Sequence, residues 1–224
     1  MSRIFVPAFF DFIILFCFNC AVVSGQGFLI NQVKTLETRN LGDKSYDDIE
    51  GTPYYSKDFI KSTIFFRDGN YSNQPLRYDM FRDEMEFNKD GIILWLNRKD
   101  IKYLRYGTEM IFVSALDADT AKTGYYFLKD EGRYLLFYKK SALYEPMVPP
   151  KGYDKTIPDK FIQNKDLIYI KQSGESAIKI KNRKDLLNYF KEDQIARGFI
   201  KSSKIKADKI GDLHKLISFL NERK

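Results

Sequence analysis

The sequence predicts a mainly β (α+β) fold, in which an antiparallel β-meander is followed by a C-terminal helical subdomain. Short apolar and aromatic runs alternate with tight-turn signals between residues 53 and 145, as in a chain of β-hairpins. After residue 182 the apolar residues recur at helical spacing instead. The composition, with 44% apolar, 16% aromatic and 30% charged residues, is typical of a globular protein. A sandwich, a roll or a half-open barrel would each satisfy this pattern.

The first 25 residues have the layout of a secretory signal peptide. Arg3 supplies a basic start, Phe12–Phe18 begins an apolar centre, and Ser24 and Gly25 form a small-residue exit. An uncleaved membrane anchor is the alternative, but a spanning helix needs about 20 apolar residues, and Asp11 interrupts this run. We therefore expect export, with the mature protein in the periplasm or associated with the outer membrane.

Both cysteines of the chain lie in this predicted signal peptide. A lipoprotein would use Cys17 or Cys20 as its acylated residue, but Phe16 and Asn19 before them lack the small size that such processing prefers. Removal of residues 1–25 would leave no cysteine. The mature chain would then have no disulfide, no thiolate zinc site and no cysteine nucleophile.

Positive charge is concentrated in the last third of the chain. Residues 26–149 contain 18 Lys and Arg against 19 Asp and Glu, whereas residues 150–224 contain 18 against 10. The C-terminal part is therefore the candidate for an anionic partner.

Turn signals divide the chain into segments. We predict an extended lead-in over 26–52, the antiparallel meander over 53–145, a Pro-rich linker over 146–160, and a β-hairpin plus helical subdomain over 161–224. Asp68-Gly69 and Asp90-Gly91 mark hairpin turns, because glycine provides the positive φ that such turns require. Pro146, Pro149, Pro150 and Pro158 exclude a helix or a central strand from the linker.

The C-terminal part predicts one hairpin and three short helices. The hairpin turns at Ser173-Gly174. Asn182 is predicted to cap the first helix, Glu192 and Asp193 to open the second, and Asp208 to cap the third. In the last helix Ile210, Leu213, Leu216, Ile217 and Leu220 form one apolar stripe, which needs a surface to cover it.

Several stretches resemble a family of exported β-rich proteins of unknown function common in Bacteroidetes. They are Gly51-Thr52-Pro53-Tyr54, the strand and turn Ser62–Gly69, Leu76–Met80 with Asp83–Phe87, and the C-terminal elements, which are the hairpin Leu167–Ile180, Lys184–Leu187 and the helix Asp212–Asn221. The resemblance covers residues 51–222 and implies a location in the cell envelope. It implies no reaction, no cofactor and no catalytic residues.

Two motifs have the residues of a catalytic site without its pattern. His214 is the only histidine, and we interpret it as a helix residue at the edge of a packed face. Gly174-Glu175-Ser176-Ala177 begins like a nucleophile elbow but lacks its second glycine and its following helix. We therefore predict no catalytic residue, and a hairpin turn at Gly174.

Carboxylates cluster in the hairpin formed by Leu76–Phe87. Asp79, Asp83, Glu84 and Glu86 could serve a hydrolase or bind calcium. Asp79 and Glu86 alternate with apolar residues, however, so we predict that they lie on a solvated face and that Asp83 and Glu84 occupy the tip. Asp117-Ala118-Asp119-Thr120 begins like a calcium loop but fails it at Ala121 and Lys122. We predict no metal site and no cofactor.

Aromatic residues are abundant in the meander. They would suit a glycan or an apolar ligand if they lined one exposed face, but in β-rich proteins they usually fill the core. We predict core positions for this set: Tyr54, Tyr55, Phe65, Phe66, Trp95, Tyr125, Tyr126, Phe127, Phe137 and Tyr138.

The basic tail provides the one candidate binding patch. Its lysines are Lys201, Lys204, Lys206, Lys209 and Lys215, which would attract an anionic lipid or polysaccharide surface. A solvated helix face is the simpler interpretation, and the predicted export argues against nucleic acid.

Three functions are consistent with the sequence. The first is a non-catalytic envelope protein that binds another protein, a glycan or an anionic lipid surface. The second is a carrier with a lipid-sized cavity inside a curved sheet, and the third is a hydrolase that uses carboxylates alone. We favour the first, because no catalytic motif is present.

Overall fold

The computed structural model describes residues 33–35, 40–41, 44–67, 69–118, 120–149, 152 and 156–223. The predicted signal peptide lies outside these residues, as do 26–32, 36–39 and 42–43 of the lead-in, and Asp68 and Pro150. The strands are β1 (Val33–Thr35), β2 (Asn40–Leu41), β3 (Lys44–Ser45), β4 (Ile60–Phe66), β5 (Asn70–Asp79), β6 (Glu84–Lys89), β7 (Ile92–Leu96), β8 (Ile101–Tyr106), β9 (Glu109–Ser114), β10 (Gly124–Asp130), β11 (Tyr134–Lys139), β12 (Ala142–Glu145), β13 (Lys160–Gln163), β14 (Leu167–Gln172) and β15 (Ile178–Ile180). The helices are α1 (Arg183–Tyr189), α2 (Gln194–Ser202) and α3 (Ile210–Asn221).

One antiparallel sheet organises the described chain, and the predicted fold class is confirmed. Its strand order is β1-β7-β6-β5-β4-β8-β9-β10-β11-β14-β15. The two short pairs β2-β3 and β12-β13 lie outside it. The sheet is not closed into a barrel.

The sheet must curl between β7 and β8. These strands are four positions apart in the sheet, which corresponds to at least about 19 Å if the sheet were flat. The connection from Leu96 to Ile101 spans at most about 18 Å. The curl encloses a core of fully buried side chains, which includes Ile64, Tyr78, Leu104, Tyr125 and Phe127.

A second core joins the sheet to the helices. Leu136 of β11 and Ile170 of β14 pack against the stripe of α3, in which Leu213, Leu216 and Ile217 are fully buried. The predicted stripe is therefore covered within the chain. Ile210 contacts both cores, so they are continuous.

Two of the three predicted helix caps are confirmed. Asn182 Oδ1 accepts hydrogen bonds from the amides of Lys184 and Asp185, and Asp193 caps α2 in the same way. The prediction for Asp208 is wrong, because α3 begins after Lys209, which makes no side-chain cap bond. Asp212 in the first turn instead accepts from the Lys206 amide at 3.1 Å.

Residues 45–59 form a covering segment over the outer face of β5 and β6. Tyr46, Ile49 and Tyr54 are buried in it, so this part of the predicted extended lead-in belongs to a packed cluster. The segment is held by backbone bonds, among them Met80 N to the Pro53 carbonyl at 2.8 Å. Gly51, with φ of +86°, lies against the backbone of Phe161, where a Cβ would come within 2.6 Å of the carbonyl oxygen. A side chain at position 51 would therefore displace the segment.

The predicted Pro-rich linker joins two strands of one hairpin. Residues 146–159 connect β12 to β13, and Val148 and Ile157 form a further bridge beyond these strands. Phe161 and Tyr144 pack against the covering segment. The predicted linker therefore lies within one hairpin.

Candidate anion-binding cavity

Three of the five lysines predicted as a patch line one cavity. Lys201, Lys204 and Lys206 follow or end α2 and surround a space of about 640 Å³. Lys165, which follows β13, and Lys181, which follows β15, complete the set of five lysines. We call this space the central cavity. Its other lining residues are Asn182, Arg183, Ile205, Ala207 and Asp208.

The loop between α2 and α3, which carries Lys204 and Lys206, is fixed to the fold. Ile205 and Ala207 are buried, and they hold the loop on the second core. Arg183 Nη1 donates to the Ile205 carbonyl at 2.9 Å, which ties the start of α1 to this loop. The lysine side chains therefore project from an anchored backbone.

The central cavity is strongly positive. Lys165, Lys201, Lys204 and Lys206 form no ion pair with any carboxylate in the part of the chain that the structure describes. Asp208 is the one carboxylate among the lining residues, against five lysines and Arg183. Cations gathered around a concave surface reinforce one another's potential, so an anion is attracted to this point of the surface.

The remaining two lysines of the predicted patch lie elsewhere. Lys209 lines a neighbouring cavity of about 520 Å³, which we call the Asp212 cavity. Lys215 points away on α3, with 71% of its side chain exposed, and pairs with Asp212 at 3.6 Å. The structure therefore divides the predicted patch rather than bringing it together.

Sequence reasoning missed Lys165, Lys181 and Arg183. Each follows a strand or begins a helix, and the antiparallel order β11-β14-β15 brings them beside the α2–α3 loop. Lys181 directly follows β15, Lys165 lies between β13 and β14, and Arg183 begins α1, so the sequence gives them no common signal. Only the tertiary fold shows that these positions meet.

A third cavity lies on the other side of the central one. Asp117 Oδ2 accepts from Lys179 Nζ at 2.9 Å and from the Tyr169 hydroxyl at 2.8 Å in its wall. This Asp117 cavity has a volume of about 470 Å³ and shares Lys181 with the central cavity. Of the predicted failed calcium loop, Asp117 is thus engaged in the fold, while Asp119 lies outside the described residues.

His214 has both a serine and a carboxylate beside it, but not in catalytic geometry. His214 Nδ1 lies 2.8 Å from Asp130 Oδ2, and the Ser218 hydroxyl donates to the same oxygen at 2.7 Å. In a catalytic triad the serine contacts the imidazole nitrogen opposite the carboxylate. Ser218 instead lies 3.2 Å from the same Nδ1. The cluster therefore docks α3 on the end of β10, as the edge-of-face interpretation predicts.

The prediction that Asp79 and Glu86 face solvent is wrong. They are 1% and 0% exposed, because the covering segment lies over the outer face of β5 and β6. Arg77 donates to Glu86 Oε2 through Nε at 2.8 Å and Nη2 at 2.6 Å. The Arg77 guanidinium also lies 3.9 Å from the ring centroid of Tyr54. The sheet alternation was predicted correctly, but the sequence did not show what covers this face.

Burial changes the titration of Asp79. Burial removes the Asp79 carboxyl from water and raises its pKa from 3.8 to about 6. The nearby Glu86 is a smaller cause of the same rise. Hydrogen bonds from the amides of Phe81, at 2.9 Å, and Arg82, at 3.0 Å, oppose this rise. A substrate would have to displace the covering segment to reach Asp79 or Glu86.

We expect Asp79→Asn to stabilise the protein at pH 8 and to have little effect at pH 4. The folded state holds the Asp79 proton more tightly than the unfolded chain, so folding gains stability as pH falls through 6 and levels off near 4. At pH 8 Asp79 is ionised, so the wild type lacks this stabilisation, which amounts to about 1 to 3 kcal/mol in the free energy of unfolding. Asn keeps an oxygen for the two amides. Urea unfolding at both pH values measures the difference, and a less stable variant at pH 8 would contradict it.

Asp83 lies in the turn between β5 and β6, as predicted, and organises a polar cluster. Its Oδ2 pairs with Lys139 Nζ at 2.7 Å, and its Oδ1 accepts from the Tyr78 hydroxyl at 2.8 Å. Gly124 leaves room for this pair, because a Cβ there would lie 2.5 Å from Lys139 Nζ. Arg98 pairs with Glu84 at 3.3 Å beside it. These contacts link three parts of the sheet.

Most of the predicted core aromatics are buried. Tyr54, Phe66, Tyr125, Tyr126, Phe127, Phe137 and Tyr138 are buried, whereas Tyr55, Phe65 and Trp95 are half-buried. On the outer face Phe65 and Tyr103 stack with centroids 4.3 Å apart, and Tyr103 stacks on Phe112. Their ring faces contact each other, so this row supports the sheet rather than offering flat faces to a sugar.

The Gly174 motif forms a turn, and the described residues show neither a metal site nor a membrane-spanning helix. Gly174, with φ of +84°, lies in the exposed turn between β14 and β15, which confirms the predicted hairpin turn. Within the described ranges, no group of three or more His, Cys, Asp or Glu side chains is placed to hold a metal ion. None of the helices that the structure describes is long and apolar enough to cross a membrane.

Comparisons with known proteins give no relative for this chain. No protein-family model, no curated protein and no solved structure matches it.

Proposed function

We propose that this is an exported, non-catalytic binding protein of the cell envelope, which holds an anionic group of its partner in the central cavity. The observation that carries the proposal is the set of five lysines and Arg183 around one cavity with a single carboxylate. Phosphate, sulfate or carboxylate groups on an envelope component have the required charge. The predicted signal peptide and the resemblance to exported proteins support the location.

The buried polar groups favour binding over catalysis. Asp79 and Glu86 lie beneath the covering segment, and the His214 cluster lacks the geometry of a nucleophile and its base. The interior of the curled sheet is filled by side chains such as Tyr78, Leu104 and Phe127, which does not favour the lipid-carrier alternative. Compared with these buried groups, the lysine cavity is open to a ligand from solvent.

We expect the charge-reversal variant Lys201→Glu/Lys204→Glu/Lys206→Glu to bind inorganic tripolyphosphate at least about tenfold more weakly than the wild type at low salt. These three side chains line the central cavity, so their reversal replaces attraction by repulsion at that point. Isothermal titration calorimetry measures the affinity, and raising the salt concentration should weaken wild-type binding.

The matched control is Lys61→Glu/Lys99→Glu/Lys122→Glu, which changes the net charge equally at exposed sites of the meander. We expect it to lower the affinity by less than about twofold. An equal loss in the two variants would show attraction by net charge alone and would overturn the proposal. Pelleting with phosphatidylglycerol vesicles then distinguishes a lipid headgroup from a soluble anion as the source.

A further inference from the structure

Three cavities adjoin one another along the boundary between the sheet and the helices. The central cavity shares Lys165 and Asp208 with the Asp212 cavity, and it shares Lys181 with the Asp117 cavity. The volumes are about 520 Å³ for the Asp212 cavity, 640 Å³ for the central cavity and 470 Å³ for the Asp117 cavity. Shared walls make them one elongated depression, which is longer than a single anionic group requires.

Charge is distributed unevenly along this depression. In the outer cavities two carboxylates already have a cationic partner: Asp117 pairs with Lys179 at 2.9 Å, and Asp166 pairs with Lys140 at 2.9 Å. The central cavity contains the four lysines without an ion pair, so the positive charge is concentrated in the middle of the depression. These lysines are Lys165, Lys201, Lys204 and Lys206. A ligand that fits this pattern has an anionic group in its centre and uncharged polar groups on both sides.

We infer that the depression binds an extended acidic oligosaccharide whose charges are spaced by neutral sugars; this inference rests on the proposed function. Sugar hydroxyls donate to carboxylates and amides, and Asn164 and Asp208 offer such groups at one end. Asn188 offers an amide at the other end, and the Tyr189 side chain provides an aromatic surface for the apolar side of a sugar ring.

Other polyanions fit the outer cavities less well. A uniformly charged chain would also place charge beside Asp212 at one end and beside Asp185 at the other. A lipid bilayer presents a single layer of headgroups, which the central cavity alone would take up. An oligosaccharide with spaced charges can avoid placing charge beside these carboxylates. As a linear chain, it also contacts all three cavities.

The test uses hyaluronan oligosaccharides, which carry a carboxylate on every second sugar, from the disaccharide to the octasaccharide. We expect the affinity of the full-length mature protein to rise about tenfold or more over this series, as added sugars reach the outer cavities. Asn164→Ala and Asn188→Ala should each remove part of this rise and leave tripolyphosphate binding unchanged. Asn70→Ala, an exposed site on β5, is the matched control.

The possible failures are distinguishable. Tripolyphosphate binding that depends on Lys201, Lys204 and Lys206, with no dependence on sugar chain length, would overturn this inference and leave the proposed function standing. Binding to phosphatidylglycerol vesicles but to no oligosaccharide would also overturn it. If no anion binds, or if reversing the three lysines changes nothing, both proposals fail.

Discussion

Replacing Glu86 by Gln is expected to lower the free energy of unfolding by about 3 to 5 kcal/mol. Glu86 is fully buried and neutralises Arg77, whose guanidinium lies under the covering segment between the rings of Tyr54 and Phe59. Gln has nearly the same shape but leaves the positive charge without its partner. Chemical denaturation at neutral pH measures the loss.

The double variant Arg77→Met/Glu86→Gln should recover most of this stability, because it removes the unpaired charge and keeps an amide oxygen near the Tyr54 hydroxyl. Glu145→Gln is the matched control, since Glu145 pairs with Lys160 at the surface and should change stability by no more than about 0.5 kcal/mol. A Glu86→Gln denaturation curve that overlays the wild type would refute the role of the buried pair.

The second large effect is expected at Leu213, where substitution by Ala should cost about 2 to 5 kcal/mol. Leu213 is fully buried between α3 and the sheet, so the shorter side chain leaves a cavity in the second core. Thermal and chemical unfolding of the variant measure the loss. Lys209→Ala and Lys215→Ala should stay near neutral, because both side chains are exposed.

A melting curve of Leu213→Ala that coincides with the wild type would contradict internal packing of the helix. The stripe would then serve a partner or a membrane, and the variant would be released from its envelope fraction. The contacts of α3 with β10 and β11 make internal packing the expected result.

Local patterns predicted the fold class because local chemistry determines the hairpins. Gly91, with φ of +86°, forms the turn between β6 and β7, and the alternation in Leu76–Met80 directs Leu76 and Tyr78 into the core. What lies on the opposite face is decided by a different part of the chain. Asp79 and Glu86 were therefore placed on the correct face of the strand, but they were wrongly expected to be solvated.

The binding site was predicted only in part, for the same reason. Lys201, Lys204 and Lys206 are close in sequence, so the charge pattern identified them. Lys165 and Lys181 reach the same cavity through strand order, which a single sequence does not show. Likewise, His214 has the partners Asp130 and Ser218, yet only their geometry excludes a catalytic arrangement.

The contact between α3 and the end of β11 has a consequence for the order of folding. Asn221 accepts from the Tyr134 amide at 2.8 Å and donates to its carbonyl at 2.9 Å, across a separation of 87 residues. Closing a loop of that length costs chain entropy that no local contact offsets. The helix α3 is synthesised after β11, β14 and β15, so it cannot cover the apolar face of these strands until it has emerged and docked. Docking of α3 then buries this face and completes the second core.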